Sequence, residues 1–117
     1  MRAILEELNL RVGARGSLVV TRDGIPIASA SRVEFHEERV AALAQKVIRE
    51  SARALEGLSI PGFEQFVLTA DCGRMIFVEL SVAYLVVITQ LSVDPEQAML
   101  EIQSSARRIE RASRIAI

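Results

Sequence analysis

Residues 34–56, EFHEERVAALAQKVIRESARALE, decide how the rest of the chain must fold. At about 100° per residue, Val40, Ala41, Leu43, Ala44, Val47, Ile48, Ser51, Ala52, Ala54 and Leu55 fill roughly 180° of a helix circumference. Glu38, Arg39, Gln45, Lys46, Arg49, Arg53 and Glu56 fill most of the remainder. A helix resting on one sheet needs an apolar stripe nearer to about 100°. This central helix is therefore shaped to face two things, a sheet and another helix.

Outward from it, the chain reads as alternating elements. Residues 2–12 form a short amphipathic helix with Ile4, Leu5, Leu8 and Val12 on one face, Arg2, Glu6 and Asn9 elsewhere, and Gly13 as its stop. A hairpin follows, SLVVTR (17–22) and IPIASA (25–30), joined by Asp23-Gly24, which suits a type I′ turn with φ > 0 at both central residues. Pro26 has no N–H to donate and places its strand at a sheet edge. After the central helix, Gly57 and then Ile60-Pro61-Gly62 break the chain. Three strands follow, FEQFVLTA (63–70), RMIFVEL (74–80) and YLVVITQL (84–91). Asp94-Pro95 starts a last helix with a one-sided stripe of Ala98, Met99, Ile102, Ala106, Ile109, Ser113 and Ala116.

The order helix-strand-strand-helix-strand-strand-strand-helix defines an α/β sandwich of the α+β, profilin/longin-like kind. Its sheet is five-stranded and antiparallel, with the terminal helices on one face and the central helix on the other. Both sheet faces are apolar, Ile76 and Val78 opposing Met75 and Phe77, so both must be covered. Five strands span about 24 Å, and one helix covers about 10 Å of that. The central helix alone cannot cover its face. A two-fold dimer with the central helices side by side supplies the missing cover and uses the surplus apolar flank. The expected self-association residues are Val40, Ala41, Ala44, Val47, Ile48, Ser51, Ala52 and Leu55 on the helix. Gln65, Val67 and Thr69 belong to the strand over 63–70, which has no proline or lysine to protect it as an edge. The competing reading is that the small residues let the helix sit close to its own sheet.

Composition narrows the function. The chain has 117 residues, read as a single domain over 1–117, with 50% hydrophobic residues and a net charge of −1, so its charge balance gives no sign of nucleic-acid binding. No apolar run approaches the length of a membrane span, no signal-peptide core is visible, and a single cysteine forms no internal disulfide, which points to the cytoplasm. His36 is the sole histidine, Cys72 lies in a hairpin turn, and no phosphate-binding glycine motif is present. The expectation is a non-enzyme with no catalytic, metal or cofactor residues. Arg107, Arg108, Arg111 and Arg114 are balanced by Asp94, Glu96, Glu101 and Glu110 and read as a solvated face. Arg39, Lys46, Arg49 and Arg53 lie on the polar side of the central helix, where a partner would dock.

These residues resemble the roadblock (dynein light chain 7) domain proteins, including their small prokaryotic members. The matching features are ILEEL in the first helix, the hairpin GSLVVTRDGIPIA, the alanine-rich ERVAALAQKVIRESARAL, the strand–turn–strand FVLTADCGRMIFVEL, YLVVITQL and the closing amphipathic helix. The resemblance implies a homodimer with a continuous sheet and paired central helices. It implies a non-enzymatic scaffold that binds and regulates a small Ras-like GTPase, in bacteria often for cell polarity or motility. The docking surface would then be the paired central helices, by position Arg39, Lys46, Arg49 and Arg53. The alternative is a structural adaptor for a motor, kinase or membrane-associated complex with no effect on a GTPase. A small-ligand sensor is a third reading, disfavoured by the lack of a polar constellation.

Overall fold

A computed structural model describes residues 1–115 except 33, 35 and 61, with side chains described to residue 113. Ala116 of the expected last-helix stripe, Pro61 of the chain break and Phe35 of the stretch 34–56 lie outside the described residues, as does the side chain of Arg114. The elements are α1 (Arg2–Val12), β1 (Gly16–Thr21), β2 (Pro26–Ser31), α2 (Glu37–Gly57), β3 (Gln65–Ala70), β4 (Gly73–Glu79), β5 (Ala83–Thr89) and α3 (Pro95–Ile115). The order and class match the sequence reading. The five strands form one antiparallel sheet in the order β2-β1-β5-β4-β3, so β2 and β3 are its edges.

The period-2 alternation of the strands sorts two cores onto the two faces. On one face Val19, Ile76, Val78, Leu85 and Val87 pack against Leu5 and Leu8 of α1 and Ala98, Ile102, Ala106 and Ile109 of α3. On the other, Leu18, Val20, Phe77, Tyr84 and Val86 pack against Ala41, Ala44 and Ile48 of α2. The terminal helices thus share one face, and α2 is alone on the other.

The hairpin departs from the type I′ expectation. Among its loop residues only Gly24 has positive φ, at 87°. The Gly24 amide donates to the Thr21 carbonyl at 3.0 Å, and the Thr21 amide donates to the Ile25 carbonyl at 2.9 Å. This is a three-residue loop, Arg22-Asp23-Gly24, in which glycine alone takes the left-handed conformation and Asp23 is spared it. The register then shifts between Val19 and Val20, so that Val19 faces Ala28 while Val20 faces Pro26 and Ile27 is left over. A bulge plus a proline blunts the β2 edge.

Asn9 also departs from expectation. Sequence periodicity puts it off the apolar face of α1, yet it is only 2% exposed. Its Nδ2 donates to the Ala30 carbonyl at 3.1 Å, and Ser17 Oγ donates to its Oδ1 at 2.8 Å. Burial is tolerated because both ends of the amide are satisfied, and the network fastens α1 to β1 and β2.

The α2 helix ends at Gly57, as the sequence reading has it, but this glycine does not take the left-handed position. The Ile60 amide donates to the Leu55 carbonyl at 2.8 Å and the Ser59 amide to the Glu56 carbonyl at 2.9 Å, the paired bonds of a Schellman cap. The left-handed position falls on Ser59, with φ 61°. A side chain there costs about 1–2 kcal/mol that glycine avoids. We predict that Ser59→Gly stabilises the fold by about 0.5–1 kcal/mol net of glycine's greater unfolded-state entropy. The check is a higher urea midpoint at unchanged m-value.

Ion pairs link α1 and α3. Glu7 accepts from Arg108 at 3.0 Å and from Arg11 at 2.7 Å, and Arg11 also reaches Glu101 at 3.6 Å. The hydrogen bond and charge of Arg108, aided by Arg11, hold the Glu7 carboxyl below its ordinary range. A carboxylate with a lowered folded-state pKa stabilises above its unfolded pKa, and that contribution is lost as pH falls through the folded value. Glu7→Gln should therefore lower the denaturation midpoint at neutral pH, with the gap to wild type closing on acidification below the usual carboxylate range. High salt should shrink the same gap.

Candidate docking surface

On the α2 side, the helix lies over β1 and β2. The Gln45 side of α2 faces the hairpin loop, where a side chain on Gly24 would come within 3.0 Å of the Gln45 Cβ. Roughly half a turn away around the helix are Val40, Leu43 and Val47. Val40 and Val47 are half-buried against the core on this face, while Leu43 is 56% exposed.

The β4–β3 half of this face is left open. Phe66 pairs with Phe77 and Leu68 with Met75 across the β3–β4 ladder, so all four share the α2 face. Phe66 and Met75 are half-buried and Leu68 is 45% exposed. Beneath them is an aromatic cluster. Phe66 stacks on Phe77 at 4.4 Å between centroids, Phe63 meets Phe66 edge-on at 4.7 Å, and Phe63 stacks on Tyr84 at 5.8 Å. An exposed aliphatic strip over a rigid aromatic floor, beside an edge strand, has the composition of a protein-contact surface.

The residues singled out in the sequence fall into three groups. Ala41 and Ala44 are fully buried and Ile48 nearly so, all against the protomer's own sheet. Their smallness lets α2 approach β1 and β2 closely. Val40, Val47, Ser51, Ala52 and Leu55 are half-buried and retain surface for a partner. Gln65, Val67 and Thr69 are exposed, but their register with Val78, Ile76 and Arg74 places them on the α1–α3 face, where Gln103 Nε2 donates to Gln65 Oε1 at 2.6 Å. On the α2 face their places are taken by Phe66 and Leu68, which the strand's alternation read against β4 identifies.

Arg39, Lys46, Arg49 and Arg53 are all exposed on the outer side of α2. Arg39, Lys46 and Arg53 recur every seventh residue and so form one line along the helix. Arg53 pairs loosely with Glu50 at 3.8 Å, an exposed contact of little energetic weight. His36 is the exposed N-cap residue of α2, and Cys72 is an exposed thiol in the β3–β4 turn. Among the described residues no group of three His, Cys, Asp or Glu side chains is placed to hold a metal, and no helix is long and apolar enough to cross a membrane.

The chain belongs to the Roadblock/LC7 domain family, whose profile matches residues 2–89, from α1 to the end of β5. Members of this family are generally non-catalytic regulators or adaptors. Among its relatives is the protein MJ0714 of Methanocaldococcus jannaschii, 29% identical over 106 residues that cover 91% of this chain and 90% of the relative. Among solved structures, Myxococcus xanthus MglB superposes with a TM-score of 0.90 at 14% identity, covering 99% of this chain and 89% of that one. A structure described as MglB with tetrameric arrangement gives 0.88 at 19% identity, covering 98% and 88%. At these identities the structural likeness is one of fold.

The burial of Ala44 separates folding from assembly. We expect Ala44→Arg to destabilise the protomer itself by about 3 kcal/mol or more, because it forces an unpaired charge into a filled core. Leu43→Arg, on the exposed flank, should leave the circular-dichroism spectrum close to wild type and lower the urea midpoint far less than Ala44→Arg does. Equal loss of stability in the two variants would contradict this placement of α2.

Proposed function

We propose that this single roadblock-like domain, residues 1–117, is a cytoplasmic, non-enzymatic homodimeric scaffold that binds and regulates a small Ras-like GTPase. The observation that carries the reading is the half-covered α2 face. Exposed Leu68 and half-buried Phe66 and Met75 lie beside the exposed flank of α2 at Leu43, and the adjoining edge β3 has neither the proline nor the bulge that protects β2. A second copy related by a two-fold axis brings the same strip twice, so each α2 flank covers the other copy's open strands while β3 pairs with β3. Half-buried Val47, Ser51 and Leu55 then complete their burial. Family membership supports a scaffold, and the sequence resemblance supplies the GTPase as partner.

Pairing the two α2 helices would place both copies of Arg39, Lys46, Arg49 and Arg53 on one broad outer surface. That surface is the proposed GTPase platform. The test uses Ras-like GTPases from the same genome, with binding, nucleotide exchange and GTP hydrolysis measured with and without this protein. The expected result is binding to one of them with a changed nucleotide cycle, weakened about tenfold or more by the triple variant Arg39→Gln, Lys46→Gln, Arg53→Gln. Binding with no change in the cycle would indicate the adaptor reading. Absence of binding to all of them would overturn the proposal.

A further inference from the structure

A second surface, remote from the aliphatic strip, carries an unexplained charge. Arg15 and Arg32 are neighbours at the open end of the β1–β2 ladder, opposite the hairpin loop. The Arg32 amide donates to the Arg15 carbonyl at 2.9 Å, and the Arg15 amide donates to the Ile88 carbonyl at 2.8 Å, which fixes both backbones. The two side chains line a cleft of about 400 Å³ together with Gly13, Ala14 and Gln90. Among the described residues no carboxylate lines that cleft.

Two other arginines of the sheet and its hairpin loop, Arg74 and Arg22, have fixed partners. Arg22 donates to Tyr84 Oη at 2.8 Å and pairs with Glu79, and Arg74 donates to the carbonyls of Leu91 and Val93, both at 2.8 Å. Among the described residues, neither the Arg15 nor the Arg32 guanidinium has a hydrogen bond or an ion pair. Neighbouring like charges on adjacent strands destabilise a sheet. The C-terminal end of α1 at Gly13 offers about half a negative charge against two positive ones. Two exposed arginines at adjacent strand ends, with no hydrogen bond or ion pair on either guanidinium among the described residues, leave positive charge available to an anionic ligand.

We propose that this cleft binds a phosphoryl oxyanion. Each guanidinium is a planar fork that meets two oxygens at once, and two forks on one cleft, with the Gln90 amide as a further donor, match the several oxygens and double charge of a phosphomonoester. A lone carboxylate, with two oxygens, is satisfied by a single fork. The site lies on β1, β2 and the α1 cap, away from the α2 platform, and does not depend on it. The oxyanion is either soluble or part of a lipid headgroup such as phosphatidic acid.

The test is an amide-resolved NMR titration of the full chain with inorganic phosphate, exchanged against NaCl at constant ionic strength. Saturable shifts are expected at Gly13 to Arg15, Arg32 and Gln90, with affinity reduced about tenfold or more in Arg15→Gln or Arg32→Gln. An independent readout is thermal stability. In phosphate-free, low-salt buffer Arg32→Gln should melt above wild type because the repulsion is gone, and in saturating phosphate the order should reverse. Non-saturating shifts that NaCl reproduces, or equal affinity in both variants, would overturn the proposal. Sedimentation with phosphatidic acid vesicles against phosphatidylcholine vesicles identifies the source. Arginine-dependent co-sedimentation supports the headgroup, and retained phosphate binding without it supports a soluble ligand.

Discussion

One helix on one face of a five-stranded sheet is the constraint from which the rest of this structure follows. The strands carry apolar side chains on both faces, so each face needs cover. The terminal helices meet that need on one side, held together by the Glu7–Arg108 and Arg11–Glu101 pairs. On the other side α2 sits over β1 and β2, and the half of the sheet built from β4 and β3 stays open. The exposed flank of α2, the exposed Leu68 and the unblunted β3 edge are three expressions of the same shortage. The proposed second copy would resolve all three together.

The contrast between the two sheet edges points the same way. At β2 the chain combines Pro26 with a bulge at Ile27, two devices that discourage strand pairing. At β3 there is neither, and the residues on its α2 face are Phe66 and Leu68. Protection at one edge and invitation at the other are what a chain needs if its sheet is to extend in a single direction. In the proposed assembly the α2 cations would share one outer surface. They occupy the side of the helix opposite the sheet and project wherever the paired helices project.

Much of this was legible in the sequence because hydrophobic periodicity is a local signal. The 3.6-residue pattern of α2 and α3 and the alternation in 74–80 and 84–91 set the element order, and Pro26 marked its edge. What escaped depended on contacts distant in sequence or on backbone detail. Asn9 looked polar and exposed because the carbonyl of Ala30 and the hydroxyl of Ser17 that bury it come from other elements. Asp23-Gly24 suited a two-residue turn, yet the bulge shifts the register and makes the loop three residues long. In the candidate site the helix was placed correctly and its partition was not visible. Ala41 and Ala44 proved to serve close approach to the protomer's own strands, while Leu43, on the same wide apolar arc, is the residue left in the open. The parity of β3 is set by its register with β4, which no stretch of β3 encodes alone. Arg15 and Arg32, seventeen residues apart, become neighbours only once β1 and β2 pair.

The most direct test of the central claim, that a second copy covers the open half of the sheet, is the mass of the protein in solution by light scattering, for wild type and for Leu68→Arg. A two-fold arrangement predicts twice the 12.9 kDa chain mass for wild type. It predicts a folded species at the single-chain mass for Leu68→Arg, because the substitution buries a charge at the contact. A wild-type chain that remains at 12.9 kDa across the accessible concentration range, or a Leu68→Arg variant that keeps the doubled mass, would contradict it.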